Sequence, residues 1–165
     1  MRYDTPPPEP LASAVGFLLS WNGQRMAHMF AAALEPLGLR PPHFGLMTLI
    51  DSDPGRTQQE LVKGSMIDAS SMVAILDELE DLGLVDRRQN PADRRKHAVH
   101  LTKEGASKLA EAREVAIGIA GEALAPLDSD EREQLRLLLR KLAGVEAETQ
   151  SVSAEAGKAG KARRR

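Results

Sequence analysis

TQQELVKGSMIDASSMVAILDELEDLGLV (residues 57–85) runs directly into DRRQNPADRRKHAVHL (residues 86–101), and these two stretches decide the fold. Thr57-Gln58-Gln59-Glu60 has the form of a capping box, in which the Thr57 hydroxyl satisfies a free amide while Glu60 reaches back. It predicts a short helix to about Lys63, after which Gly64-Ser65 turns the chain. Asp68 is placed to cap a second helix to about Leu82, with Gly83 as its left-handed terminator. Met72, Ile75, Leu76, Leu79 and Leu82 recur at helical spacing and are expected to pack inward. The opposite face then presents Ser70, Ala74 and Asp77, with Ala69 and Val73 nearer its edge. Two short helices joined by a tight Gly-containing turn form a helix-turn-helix pattern. Beyond Gly83 the character changes. Residues 84–87 and 98–101 read as short strands around the turn-forming segment 89–93, a β-hairpin with a basic tip.

Working outward, residues 11–34 predict one helix, closed by Glu35-Pro36 and Gly38. Pro41-Pro42 suits the first turn of another helix, which Asp53-Pro54-Gly55 ends. After the hairpin, Thr102 caps a long helix that Pro126 stops, and Asp128 caps a last helix running to Gly144. Residues 1–10 are Pro-rich, and residues 146–165 lack an apolar period and end in Arg163-Arg164-Arg165. Both ends are expected to be disordered, leaving one domain over 11–145.

Composition narrows the function. The 165 residues are 42% hydrophobic and only 3% aromatic, so the core must be aliphatic and the chain mainly helical. The chain has no cysteine, which removes disulfides, thiolate metal sites, a cysteine nucleophile and thiol redox sensing. No window is apolar enough to span a membrane and the first residues do not read as a secretory signal, so the expected compartment is the cytoplasm. The net charge of −2 hides an asymmetry. Between Asp86 and His97 stand Arg87, Arg88, Arg94, Arg95 and Lys96 against two Asp, just after the acidic Asp77, Glu78, Glu80 and Asp81. His97 and His100 are three apart in a predicted strand and so face opposite sides, while His28 and His43 fall on different helices. No metal or other cofactor is expected. Neither a nucleophile motif nor a phosphate-cradling glycine loop nor a dinucleotide fingerprint occurs, and the chain is not read as an enzyme.

Residues 36–145 resemble the MarR family of bacterial regulators. The matches are Gly38-Leu39 with Pro42, Leu79-Glu80 with Gly83-Leu84-Val85, Arg87, Asp93-Arg94-Arg95, Leu101-Thr102 with Gly105, and Leu135. The resemblance implies a winged helix-turn-helix whose terminal helices interlock in a homodimer. Residues 11–37 and 103–145 would then dimerise, and 41–101 would form a DNA-binding lobe. It further implies a transcriptional repressor that reads a pseudo-palindromic operator in double-stranded DNA and is released by a small aromatic effector.

The expected DNA contacts are Thr57 and Gln58, then Ala69, Ser70, Ser71, Val73 and Ala74 on the second helix of the motif. Small side chains there let a helix sit deep in the major groove. The hairpin adds Arg87, Arg88, Asp93, Arg94, Arg95 and Lys96, since an Arg at such a tip can enter a narrow minor groove. The resemblance assigns Asp93 the task of orienting Arg95. The family more commonly carries Thr and often Arg on the reading surface of the helix, and this chain does not. Trp21 reads first as a core or interface residue; the resemblance also implies an effector cleft that Trp21, Arg25 and Met47 would line. A second reading is a dimeric adaptor that uses the same scaffold to bind protein, which would have no need of Arg94 and Arg95.

Overall fold

The computed structural model describes residues 5–90 and 93–145, and the side chains of all of these except 90 and 93–96. The expected disorder of residues 1–4 and 146–165 therefore lies outside the described residues. Described residues up to 123 form one compact unit and those from 124 a second.

The N-terminal helix is not continuous. A single helix over 11–34 is replaced by α1 (Glu9–Ala12) and α2 (Val15–Leu34). Pro8 and Pro10 pre-set the first turn at Glu9, earlier than expected. Ser13 then donates its hydroxyl to the Pro10 carbonyl (3.2 Å), and Ala14 is extended. Such side-chain bonds to the backbone compete with helix continuation, which is how this helix is cut. A 3-10 turn, Glu35–Leu37, and Gly38 close α2. Next, α3 (Pro41–Ser52) buries His43, Leu46, Met47 and Ile50, one stripe at helical spacing.

The capping boxes form as the local sequence predicts. Thr57 N–H donates to Glu60 Oε2 (2.8 Å) and Glu60 N–H to Thr57 Oγ1 (3.3 Å), opening α4 (Gln58–Lys63). Asp68 opens α5 (Ala69–Asp81). Four of the five apolar residues assigned to its inner face are buried, but Leu82 is 49% exposed. The reason lies in the terminator. Gly83 takes a left-handed φ of 69°, which reverses the chain and brings Leu84 onto the core while its N–H donates to the Leu79 carbonyl (2.9 Å). Leu84 occupies the place that periodicity alone gave to Leu82.

The hairpin is longer than the sequence indicates. Strand β1 (Val85–Asn90) pairs antiparallel with β2 (Asp93–Leu101), from Val85 opposite Leu101 to Gln89 opposite His97, with an irregularity at Gln89/Asn90. Gln89 pairs with His97 and Asn90 with Asp93, so the ladder enters the segment 89–93 that the sequence reads as a turn, and residues 94–96 of β2 fall at the register shift between these pairs. At its root the hairpin is held on a second edge. Val99 N–H donates to the Arg56 carbonyl (2.9 Å) and Gly55 N–H to the Val99 carbonyl (3.2 Å), and Thr57 bridges Ala98.

Helix α6 (Lys103–Ala123) then runs back against α2 and α3. Thr102 Oγ1 accepts from Gly105 N–H (2.9 Å) and donates to the Gly83 carbonyl (2.7 Å), tying the start of α6 to the end of α5. Gly105 is buried. An added Cβ would stand 1.9 Å from the Leu84 carbonyl oxygen, so glycine is required there for close approach. The core gathers Leu34, Leu46, Ile50, Leu61, Leu76 and Leu109, with Phe30 and Phe44 meeting edge to face at 5.1 Å. In the second unit Asp128 caps α7 (Ser129–Leu142), and Arg132 Nε donates to the carbonyls of Leu124 (3.1 Å) and Leu127 (2.9 Å). The helix leaves Leu137, Leu138, Leu139 and Leu142 exposed.

Candidate nucleic-acid interface

The outer face of α5 consists of small side chains. Ala69, Ser70, Ser71, Val73 and Ala74 are all exposed, as the periodicity of the buried stripe requires. Asp68 organises the start of this face. Its Oδ1 accepts from the amides of Ser70 and Ser71 (both 3.0 Å) and from the Ser70 hydroxyl (2.5 Å), while Oδ2 accepts from the Ser71 hydroxyl (2.7 Å). The two hydroxyls, with the two amides, hold the Asp68 carboxyl far below the usual carboxylate range. Thr57 and Gln58 are half-buried where α4 begins. The Thr57 hydroxyl accepts the Glu60 N–H (3.3 Å) and so works as a cap, while its own proton goes to Glu60 Oε2 (2.8 Å).

Arg87 points back at α5. Its guanidinium pairs with Asp77 and lies 3.5 Å from Glu80 Oε2, and the side chain is only 27% exposed. Arg88 pairs with Asp86 Oδ2 through Nε (3.0 Å) and Nη2 (2.7 Å) yet keeps its head well exposed. The backbone of Asp93, Arg94, Arg95 and Lys96 lies in β2 at the end of the hairpin away from Leu101; their side chains lie outside those described.

A second cluster, which sequence reasoning missed, joins α3 to α5. His43 is 3% exposed, and its Nδ1 accepts the Arg40 N–H (3.2 Å) at the start of α3. An imidazole that accepts at Nδ1 carries its proton on Nε2, which donates to Glu78 Oε2 (2.8 Å). The Arg40 guanidinium pairs with the same carboxylate. Burial, then the Arg40 charge, pushes the His43 pKa below the usual imidazole value of 6.5. Within the acidic run at 77–81, Asp77 and Glu80 meet the nearby Arg87, whereas the partners of Glu78 stand 35 and 38 residues away in sequence.

Of the three expected effector-wall residues, Trp21 and Arg25 lie one turn apart on α2, both half-buried, whereas Met47 is fully enclosed in the core. Among the described residues no group of three or more His, Asp or Glu side chains is gathered to hold a metal ion, and no helix is long and apolar enough to cross a membrane.

A MarR family model matches residues 37–96, the span from the end of α2 to the hairpin. A Thauera aromatica protein assigned by name to transcriptional regulation of the hcr operon is 30% identical over 140 residues, covering 84% of either chain. This chain belongs to the MarR family. The MarR-type fold extends over nearly the whole described length. The transcriptional repressor CouR bound to a 23-mer DNA duplex superposes with a TM-score of 0.75 at 30% identity, over 85% of this chain and 99% of that one. CouR from Rhodococcus jostii RHA1 bound to p-coumaroyl-CoA gives a TM-score of 0.71 at 29% identity, over 83% and 96%. In this MarR-family chain α4 and α5 are the helix-turn-helix and β1–β2 is the wing, as the sequence led us to expect.

Proposed function

We propose that the chain is a sequence-specific double-stranded DNA-binding transcriptional repressor, which acts as a homodimer in the cytoplasm and performs no catalysis. The carrying observation is the exposed, small-residue face of α5 beside a basic hairpin, in a chain whose relative CouR is bound to a DNA duplex. Helices of this kind enter the major groove with their N-terminal residues toward base edges, while a wing reaches the flanking backbone or minor groove. The two-fold symmetry of a dimer calls for a pseudo-palindrome with half-sites about one helical turn apart.

Release by a small aromatic effector is part of this reading, supported by the p-coumaroyl-CoA bound to CouR. Trp21 fluorescence is the natural reporter for it. The DNA-contact set proposed is Ala69, Ser70, Ser71, Val73 and Ala74 with Arg88, Arg94, Arg95 and Lys96, and Asp93 orienting Arg95. Arg87 stays in the set as a near neighbour whose charge is held by α5.

The test is affinity for genomic fragments against salt concentration, followed by footprinting, for the parent and for Arg95→Ala. The parent should protect a pseudo-palindrome. Arg95→Ala should weaken binding and lower the salt slope by up to about 1 per neutralised phosphate, hence about 2 per dimer. Equal binding by the variant at every salt concentration would remove the wing from the interface and favour the adaptor.

A further inference from the structure

We propose that each half-site places A·T base pairs under α5, read by acceptance at the Ser70 hydroxyl oxygen and by methyl contact from Val73 and Ala74, with Asp68 as the positioning residue. The inference rests on the DNA-reading function above and adds what base is read.

The composition of the helix comes first. Its thirteen residues include no Lys, Arg, Asn, Gln, His, Tyr or Thr, so Ser70 and Ser71 are its only side-chain hydrogen-bond donors. Both hydroxyl protons go to the Asp68 carboxylate, at 2.5 and 2.7 Å. The amides of Ser70 and Ser71 go to the same carboxylate, and the Met72 amide goes to the Asp68 carbonyl (2.9 Å). Two arginines that meet α5 are also committed. Arg87 is paired with Asp77 and Arg40 with Glu78, both carboxylates on α5. What remains toward solvent at the start of the helix is a pair of hydroxyl oxygens with free lone pairs, flanked by the methyl groups of Ala69, Val73 and Ala74.

That surface can accept and can make apolar contact. It has little with which to donate. In the major groove, guanine offers N7 and O6 acceptors, which call for a donor such as Arg or Lys. Adenine N6 and cytosine N4 offer protons, and thymine alone offers a methyl group. Only the A·T pair presents an amino proton and a methyl together. Ionised Asp68 fixes the polarity: a serine free of it can donate or accept and so discriminates less.

The experiment selects bound duplexes from a library with a randomised core, using the full chain and the variants Ser70→Ala and Val73→Ala. Positions whose base preference changes in a variant are those α5 reads. We expect them to be A·T in the parent selection. At those positions, deoxyuridine for thymidine removes the methyl, and purine deoxyriboside for deoxyadenosine removes the amino group. Each should weaken parent binding roughly fivefold or more. Asp68→Asn, with helicity checked by circular dichroism, should reduce the preference for dA over dG at the Ser70-dependent position.

If no duplex is enriched, the DNA-reading function itself fails. If duplexes are enriched but these positions are G·C, or neither variant moves any position, or both analogues bind like the parent operator, the inference is overturned while DNA binding stands. Retained discrimination in a folded Asp68→Asn variant would remove the role given to Asp68. Should that variant not fold, the analogue series with the unaltered chain decides.

Discussion

Gly105 and His43 show how single positions carry the lobe. A Cβ at Gly105 meets backbone, the Leu84 carbonyl, and not the yielding end of a side chain. Gly105→Ala must therefore shift α6 or the end of α5. We expect a loss of about 3 kcal/mol or more in urea unfolding, beyond ordinary overpacking, and a lost transition would agree with it. His43 gives a pH dependence. Its folded pKa lies below the unfolded value, so the unfolded chain takes up the proton first as pH falls. The protein should keep its full stability above about pH 6.5 and lose it as pH drops from there through the folded pKa. A protonated ring also cannot accept the Arg40 N–H. Urea midpoints at pH 7.5 and 5.5 should differ more for the parent than for His43→Gln; equal differences would discount the imidazole.

Helix α5 meets β1 through Asp77, Glu80 and Arg87, and this clasp lets charge be separated from contact. Arg87→Ala should cost stability but leave the salt slope of DNA binding nearly unchanged, because that guanidinium is already neutralised. Asp77→Ala should cost at most about 1 kcal/mol of stability and steepen the slope by up to about 1 per protomer as Arg87 is freed. A salt slope that drops in Arg87→Ala would make this residue a direct phosphate contact and not only a near neighbour. The same element shows what a sequence discloses. Thr57, Asp68, Thr102 and Asp128 were legible as caps because a cap needs only residues two or three positions away. Leu82 was misplaced because periodicity does not know that Gly83 reverses the chain one step later. The hairpin was underestimated because ladder pairing is a backbone property that survives polar side chains. Arg40, His43 and Glu78 were not legible as a group, since the pairing spans 35 residues or more and depends on how α3 crosses α5. The reading face of α5 was legible as small and polar. The direction of its serine protons was not, because that is set by side-chain geometry.

At the level of the whole molecule, the leucines of α7 demand a partner. Leu138 is 58% and Leu142 70% exposed, on a helix with no reason in its caps or charges to present them to water. We expect a dimer in sedimentation at micromolar concentration and a monomer for Leu138→Glu combined with Leu142→Glu, the latter with weakened operator affinity. A monomeric parent would sink the dimeric reading. The two connections between the long helices and the reading lobe differ in slack. At one end, Thr102 is pinned by its hydroxyl to both Gly83 and Gly105, and Gly105 touches the Leu84 carbonyl with no space to spare. At the other, Leu34 and Leu39 are buried and Arg40 is paired with Glu78, and only the 3-10 turn Glu35–Leu37 with Gly38 lies toward solvent between them. Compliance is therefore one-sided. Any swing of the lobe to fit a different spacing of half-sites is fixed at Thr102 and takes up its change of angle within residues 35–38. Amide hydrogen exchange should record that asymmetry as slow exchange at Gly105 and faster exchange at Gly38.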